Sequence, residues 1–113
     1  MNLPPEAERT RKELLDICGS LAAIVARKNH DYDESFGDLL EEVGPAYFVG
    51  RVGDKYRRLL ALLVKGKRPL VDEAVEDTVA DLAGYCLLYL RFIGRKKHKE
   101  ASAGKGGGRE NGS

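Results

Sequence analysis

Three stretches of the chain repeat apolar residues at the spacing of three to four positions that is typical of an amphipathic helix. The first follows Pro4-Pro5 and runs to about Arg27, the second spans about 45–65, and the third spans about 72–94. The predicted core stripes are Leu14, Cys18, Leu21 and Val25, then Val49, Val52, Tyr56, Leu59, Leu60 and Leu63, then Val75, Val79, Leu82, Cys86 and Ile93. Since no stretch alternates with the two-residue period of a strand, the pattern predicts an all-α fold, a compact bundle of three long helices.

Glycine and proline mark the predicted boundaries. Gly44-Pro45 indicates a helix restart, and Gly66 with Pro69 ends the second helix. Asp72 is the expected N-cap of the third helix. The polar stretch between the first two helices leaves room for a short helix around 36–43. Thr10 and Glu13 have capping-box spacing, which makes a later start of the first helix an alternative.

Length and composition fit one helical domain over residues 1–94. The chain has 113 residues, of which 42% are hydrophobic and 33% charged, as expected for a globular protein with one modest core. There is no apolar run of eighteen residues and the N-terminal stretch is charged, so neither a membrane span nor a secretory signal is predicted. Cys18 and Cys86 lie on apolar stripes and are expected to be buried free thiols, which favours a cytoplasmic location.

The last nineteen residues differ from the rest. Residues 95–113 contain six basic and two acidic residues, a net charge of +4, with many glycines and no apolar periodicity. This composition predicts a disordered Gly/Lys-rich tail. The tail either contacts nucleic acid through its positive charge or only raises solubility.

Acidic residues at the start of the third helix are the first candidate for chemistry. Glu73, Asp77 and Asp81 share one face, which is followed by Gly84 and Leu88. One interpretation is a solvated acidic surface. The other is the mouth of a seam covered by another helix or subunit, because a solvated face does not normally turn apolar after two turns. Like charges at this spacing also repel one another, so a cation is expected beside them.

The second helix carries a surface that could complement these acids. Opposite its apolar stripe lie Gly50 and Asp54, with Gly53 nearby. A glycine inside a helix costs about 1 kcal/mol relative to alanine, so the two glycines predict close approach of a partner helix or ligand. Asp54 facing Asp77 and Asp81 would form an oxygen cage suited to Mg²⁺ or Mn²⁺.

Three motifs carry a resemblance to a known family. The segments KNHDYDESF, GRVGDKYRRLLAL and DEAVEDTVADLAGYCLLYL, in this order, resemble the nucleotide modification associated domain 1 family, which is often phage-encoded. The resemblance covers roughly residues 13–91. The third motif is more distantly similar to the all-α MazG-like nucleoside triphosphate pyrophosphohydrolases. The resemblance implies a helical, oligomeric, Mg²⁺-dependent protein that acts on nucleotides in a bacterial host's cytoplasm.

Carried over by position, Asp77 and Asp81 match the metal-binding acids of the pyrophosphohydrolase helix, with Glu73 one turn earlier. The chain departs from the pattern in the preceding helix, where those enzymes have two glutamates three residues apart and this chain has only Asp54. The first motif more often has glycine where this chain has Asp33.

The first motif also holds candidate nucleotide contacts. Lys28 could reach a phosphate, Asn29 and Asp31 could hydrogen-bond a base or sugar, and Tyr32 or Phe36 could stack on a base. The alternative is a helix C-terminus, with Asn29 as a left-handed cap and both aromatic rings in the core.

Two main hypotheses follow. In the first, the chain hydrolyses a nucleoside triphosphate. The metal ligands are Asp54, Glu73, Asp77 and Asp81, and a surplus carboxylate, Glu76 or Glu73, acts as general base. Phosphate charge is neutralised by Lys28, Lys55 and Arg58. In the second, the chain binds a nucleotide without hydrolysing it, beside DNA-modification enzymes. A helical adaptor that uses the basic tail is a third, weaker hypothesis. A homo-oligomer is expected in the first two cases.

Overall fold

The computed structural model describes residues 2–68 and 75–106 of the chain. The chain consists of two compact units, Met1–Ser35 and Phe36–Ser113. Every regular element in the described part is helical, and no strand occurs there, which confirms the predicted all-α fold. No helix in these two ranges is long and apolar enough to cross a lipid bilayer.

The first unit consists of one long helix, α1, from Pro5 to Asp31. Pro4 has φ −58° and ψ 157°, an extended conformation, and Pro5 takes the first helical position, where proline suits the helix because its missing N–H needs no partner. Thr10 is already inside the helix, with its hydroxyl donating to the carbonyl of Glu6 at 3.1 Å. The later start at the capping-box spacing is therefore wrong.

The end of α1 is a Schellman motif built by the KNHDYDESF segment. The Glu34 N–H donates to the carbonyl of Asn29 and the Asp33 N–H donates to that of His30, both at 3.0 Å. Asp33 and Glu34 have φ of 55° and 60°, in the left-handed region. The predicted left-handed cap at Asn29 is wrong by four residues, since α1 continues to Asp31 and the chain reverses at Asp33.

The second unit begins with the predicted short helix and restart. Helix α2 spans Ser35–Val43, and α3 spans Pro45–Leu59. Gly44 between them has φ 94°, a conformation that glycine adopts without the steric penalty of a Cβ, and Pro45 again takes a first helical position.

Helix α3 continues into one turn of π-helix, Leu60–Val64. The Lys65 N–H donates to the carbonyl of Leu60 at 3.0 Å, five residues back, which is the wider π spacing. Gly66, with φ 66°, then ends the helix as predicted. The predicted breaker Pro69 and the predicted N-cap Asp72 lie outside the described residues.

Helix α4 spans Val75–Gly106 and so continues beyond the predicted end at residue 94. Its extension, RKKHKEASA, contains lysine, arginine, glutamate and alanine and no breaker before Gly104. These residues have high helix propensity, so a helix already held by packing propagates through them. The remaining residues of the predicted tail, 107–113, lie outside the described part.

The core of the second unit is small and aromatic. Phe36 and Leu40 of α2 are buried. The Phe36 ring meets Tyr47 of α3 edge-on, with centroids 5.5 Å apart, and stacks on Tyr85 of α4 at 5.9 Å. Aromatic pairs in such geometries contribute about 0.5–1.5 kcal/mol beyond their buried area. Phe36 therefore joins all three helices of this unit.

The predicted core stripes of α3 and α4 are only partly covered. Val49, Tyr56 and Leu63, at seven-residue spacing on α3 and its π turn, are 65%, 60% and 63% exposed, and Val79 of α4 is 48% exposed. The half-buried members of the two stripes are Val52, Leu59, Leu60, Val75, Leu82 and Ile93. The covered side also carries Phe48 and Tyr89, which stack at 4.2 Å. Periodicity identified amphipathic helices correctly but did not place the covered side accurately.

The predicted stripe on α1 is also not buried. Leu14 and Cys18 are exposed, and Leu21 and Val25 are half-buried. Cys18 and Cys86 are free, as predicted, but both are exposed, so the prediction of buried thiols is wrong. Cys86 shares the exposed side of α4 with Val79, one of the apolar residues of the predicted stripe.

Candidate site between α3 and α4

Three pairs of side chains cross the contact between α3 and α4. Phe48 meets Tyr89, Arg51 meets Tyr85, and Lys55 meets Asp81. As the residue number rises along α3 it falls along α4, so the two helices run antiparallel with one pair in each turn. The pairs change from aromatic to charged in the direction of the α3 C-terminus. In the next turn of each helix lie Arg58, half-buried, and Thr78, fully buried.

Lys55 and Asp81 form the charged pair of this seam. The Lys55 Nζ lies 3.1 Å from Asp81 Oδ2, and the two side chains are 20% and 31% exposed. Partial burial strengthens the attraction, but it also removes water from both groups, so the pair stabilises the helix contact only modestly. The predicted cation beside the acids of α4 is thus supplied here by the chain itself.

Arg51 and Tyr85 form the second polar pair. An Nη2–H of Arg51 donates to the Tyr85 hydroxyl, and Cζ lies 4.9 Å from the centre of the Tyr85 ring. This hydrogen bond raises the pKa of the Arg51 guanidinium further above its ordinary value. The Tyr85 ring in turn stacks on Phe36, so the core of the unit holds the arginine in place through the tyrosine.

Arg51 is not among the site residues predicted from the sequence. The signal that could have found it is a cationic stripe, because Arg51, Lys55 and Arg58 follow one another at spacings of four and three, on one helix face. This stripe lies on the covered side of α3, whereas Val49, Tyr56 and Leu63 of the predicted core stripe are exposed.

The predicted metal ligands differ in their surroundings and in their exposure to solvent. Asp81 lies in the seam, and Asp77, one turn earlier on α4, is exposed. Asp54 is 71% exposed and lies 3.9 Å from Nη1 of Arg51 on its own helix. Glu73 lies outside the described residues. Within the described ranges no three His, Cys, Asp or Glu side chains form a group that could hold a metal ion by themselves.

Mg²⁺ can nevertheless be bound by one or two carboxylates when phosphates and waters complete its shell. Asp77 and Asp81 fit this requirement in residue type and in their i, i+4 spacing on one helix. Two such carboxylates would leave most of the coordination shell of a divalent ion to waters or to a bound ligand. The pair does not match the closed protein cage that the sequence predicted with Asp54.

The remaining predicted site residues of the second unit lie on both sides of the seam. Lys55 and Arg58 are half-buried on α3, and Glu76, the predicted general base, is exposed in the first turn of α4. Asp81 and Lys55 are thus part of one helix contact and Arg58 is half-buried on the next turn of α3, while Glu76 and Asp77 lie where solvent reaches them.

The predicted contacts of the first motif belong to the first unit. Lys28, Asn29 and Asp31 are in the last turns of α1, and Tyr32, 67% exposed, is its C-cap residue. Phe36 is instead part of the core and is not available to stack on a base. The role of Lys28, Asn29, Asp31 and Tyr32 as nucleotide contacts stays a prediction.

The glycines of α3 face open space in the described chain. A Cβ added at Gly50 or at Gly53 would meet no described atom within 4 Å outside its own helix backbone. The close approach that these glycines predict is therefore not made by another described helix of this chain, and a ligand or a second chain remains the predicted cause.

Comparison with known proteins found no match. No family model, no curated protein and no solved structure is significantly similar to this chain. Membership in the nucleotide modification associated domain 1 family therefore stays a prediction from the three motifs.

Proposed function

We propose that this chain is a metal-dependent nucleotide-binding protein that hydrolyses a nucleoside triphosphate. The observation that carries the proposal is the composition of the α3–α4 contact, where Arg51, Lys55 and Asp81 take positions that apolar residues normally occupy. Charged groups in a helix contact contribute less to stability than apolar packing does. Their presence there, while apolar residues of the same helix are exposed, supports a binding role.

The cations of α3 would neutralise the phosphate chain. Lys55 and Arg58 belong to the same face of the helix, and a triphosphate carries several negative charges that such a row complements. Lys28, Asn29, Asp31 and Tyr32 of the first motif are proposed to contact the nucleoside part of the ligand.

The carboxylates of α4 would hold the divalent ion, Mg²⁺ or Mn²⁺. Asp77 and Asp81 are the proposed ligands, with Glu73 and Asp54 as the further members of the set. Such an ion supplies charge neutralisation and a more acidic bound water. Glu76, exposed beside Asp77, is the proposed base that would take a proton from that water.

A panel of nucleoside triphosphates tests this function. Incubation with Mg²⁺ or Mn²⁺ is expected to release pyrophosphate and a nucleoside monophosphate, measured by chromatography. Asp81→Asn is expected to abolish turnover while the helical circular dichroism is retained. Asp38→Asn, which removes an exposed carboxylate of α2, is the control and should retain it. Loss of turnover in both variants would contradict the assigned role of Asp81.

Binding without hydrolysis is the second candidate function. It is favoured by the carboxylates of α3, where this chain has Asp54 in place of two glutamates three residues apart, because hydrolysis needs a more complete set of metal ligands than binding does. Metal-dependent nucleotide binding in calorimetry, with no product from any member of the panel, would establish this candidate over the first.

Two kinds of partner belong to the proposal. A homo-oligomer is supported by the exposed apolar residues Val49, Tyr56 and Leu63, which a second copy could cover. Nucleic acid is supported by the segment 95–99, RKKHK, which is exposed and helical and so presents its positive charges close together.

A further inference from the structure

Arg51 is a cation whose position is set by a neutral group. Its guanidinium donates to the hydroxyl of Tyr85 and lies against that ring, and neither contact cancels its charge. The carboxylate that it meets among the described residues is Asp54, at 3.9 Å and 71% exposed, where water screens the attraction. Lys55, one turn away, faces Asp81 at the shorter distance of 3.1 Å.

Not every N–H donor of Arg51 has an acceptor among the described residues. Its Nε–H is buried and has no hydrogen-bond acceptor among the described residues, an arrangement that costs free energy when it stays unmet. The side chain as a whole is 40% exposed, so an anion in solvent can reach the guanidinium. A guanidinium presents paired donors in a planar fork that matches two oxygens of one phosphate group.

Tyr85 holds this fork in one orientation. Its ring is stacked on Phe36, a buried residue of the core, with an interplanar angle of 12°. A flexible arginine loses rotamer entropy when it binds a ligand, and prior orientation by a fixed tyrosine reduces that loss. Contacts thus run from Phe36 in the core through Tyr85 to Arg51, whose positive charge is accessible.

From these observations we infer that Arg51 binds the phosphate chain of the nucleotide and that Tyr85 is its positioning residue. The inference rests on the proposed nucleotide-binding function and adds to it a phosphate contact that the three sequence motifs did not identify. Arg51 and Lys55 act on the same anion from adjacent turns of α3. The oxygens of the phosphate chain contact the exposed side of the guanidinium.

Calorimetric titration of the full chain with inorganic triphosphate and with a nucleoside triphosphate, each with Mg²⁺, tests the inference. Arg51→Gln removes the charge and the fork, and is expected to weaken binding of both probes about 10- to 100-fold, as loss of a charge-assisted hydrogen bond does. The matched control is Arg57→Gln, which removes the same charge from an exposed position of the same helix and is expected to change binding less than about 3-fold.

Tyr85→Phe keeps the ring and removes the hydroxyl, so it tests positioning even where a larger change would unfold the chain. It is expected to weaken binding about 3- to 10-fold in the native background, the range of a neutral hydrogen bond, and not at all when combined with Arg51→Gln. A merely structural tyrosine would weaken binding equally in both backgrounds.

The outcomes distinguish a failure of this inference from a failure of the proposed function. If the native chain binds the nucleoside triphosphate and Arg51→Gln binds it as well as Arg57→Gln does, the role of Arg51 is refuted and the proposed function stands. If the native chain binds neither probe, the proposed function itself is refuted, and the inference with it.

Discussion

Lys55 of α3 and Asp81 of α4 form an ion pair across the helix contact, with Nζ and Oδ2 3.1 Å apart and both side chains mostly shielded from water. Asp81 is one of the carboxylates that the third motif offers as a metal ligand. The pair therefore links the stability of the second unit to its proposed chemistry, because a metal at Asp81 would have to replace the lysine. The cation thus released would be free to meet a phosphate.

The strength of this pair can be measured by a double-mutant cycle. Lys55→Met and Asp81→Asn each remove one charge and keep much of the side-chain volume. We expect a coupling free energy of about 0.5–1.5 kcal/mol, above that of an exposed pair because of the partial burial. Urea unfolding of the two single variants and the double variant measures it. A coupling near zero would show that the two charges do not stabilise each other.

The left-handed turn after α1 leads to a prediction about the free energy of unfolding. Asp33 has φ 55° at the position after the cap, where glycine has no steric penalty. Asp33→Gly is expected to raise the free energy of unfolding by about 0.5–1 kcal/mol, since the left-handed conformation costs other residues roughly 1–2 kcal/mol. Thermal unfolding checks the change, with Asp31→Gly, inside the helix, as a control that should destabilise.

The glycines of α3 lead to a second prediction about stability. Gly50→Ala and Gly53→Ala are each expected to stabilise the isolated chain by about 0.5–1 kcal/mol, because a Cβ meets open space and alanine favours the helix. Gly19→Ala on α1, also in open space, is the matched control. If Gly50→Ala or Gly53→Ala stabilises the chain but weakens self-association or nucleotide binding, and Gly19→Ala does not, then a partner approaches this face.

The two aromatic residues of the first motif are expected to differ sharply. Phe36→Ala removes a ring that is 6% exposed and meets Tyr47 and Tyr85, so we expect a loss of about 3 kcal/mol of stability. Tyr32→Ala changes an exposed ring and is expected to cost less than about 0.5 kcal/mol. Urea unfolding measures both. Equal losses would contradict the assignment of Phe36 alone to the core.

The exposed apolar stripe of α3 predicts self-association through that face. Tyr56→Glu places a charge between Val49 and Leu63 and is expected to shift the chain to monomer, measured by light scattering across a concentration series. Lys65→Glu, at an exposed position just after the helix, is the control and should leave the association unchanged. A native chain that stays monomeric at high concentration would contradict the predicted oligomer.

Much of the fold could be predicted because its signals are local. Pro5 and Pro45 begin helices where proline's fixed φ fits, and Gly66 ends one where a left-handed residue is needed. The short helix α2 was predicted from its position alone. The π turn at Leu60–Val64 was missed, since nothing in its apolar letters separates an i→i−5 bond from an i→i−4 bond.

The candidate site was predicted only in part. The acids of α4 and the cations Lys55 and Arg58 were identified as residue types, but Arg51 was not, and Asp54 was expected to face the acids. The partners of a side chain depend on the register between α3 and α4, and that register is a property of two segments about thirty residues apart. Helical periodicity contains no information about it.

The sequence by itself determined that the described elements are helical, that Pro5 and Pro45 begin helices and that Gly66 ends one, because backbone sterics and helix propensity act over a few neighbouring residues. Only the tertiary structure decided which side of α3 and of α4 is covered and which charges meet across it. That choice depends on the packing of Phe36, Phe48, Tyr85 and Tyr89 between elements distant in the chain. That packing sets Lys55 against Asp81 and Arg51 against Tyr85.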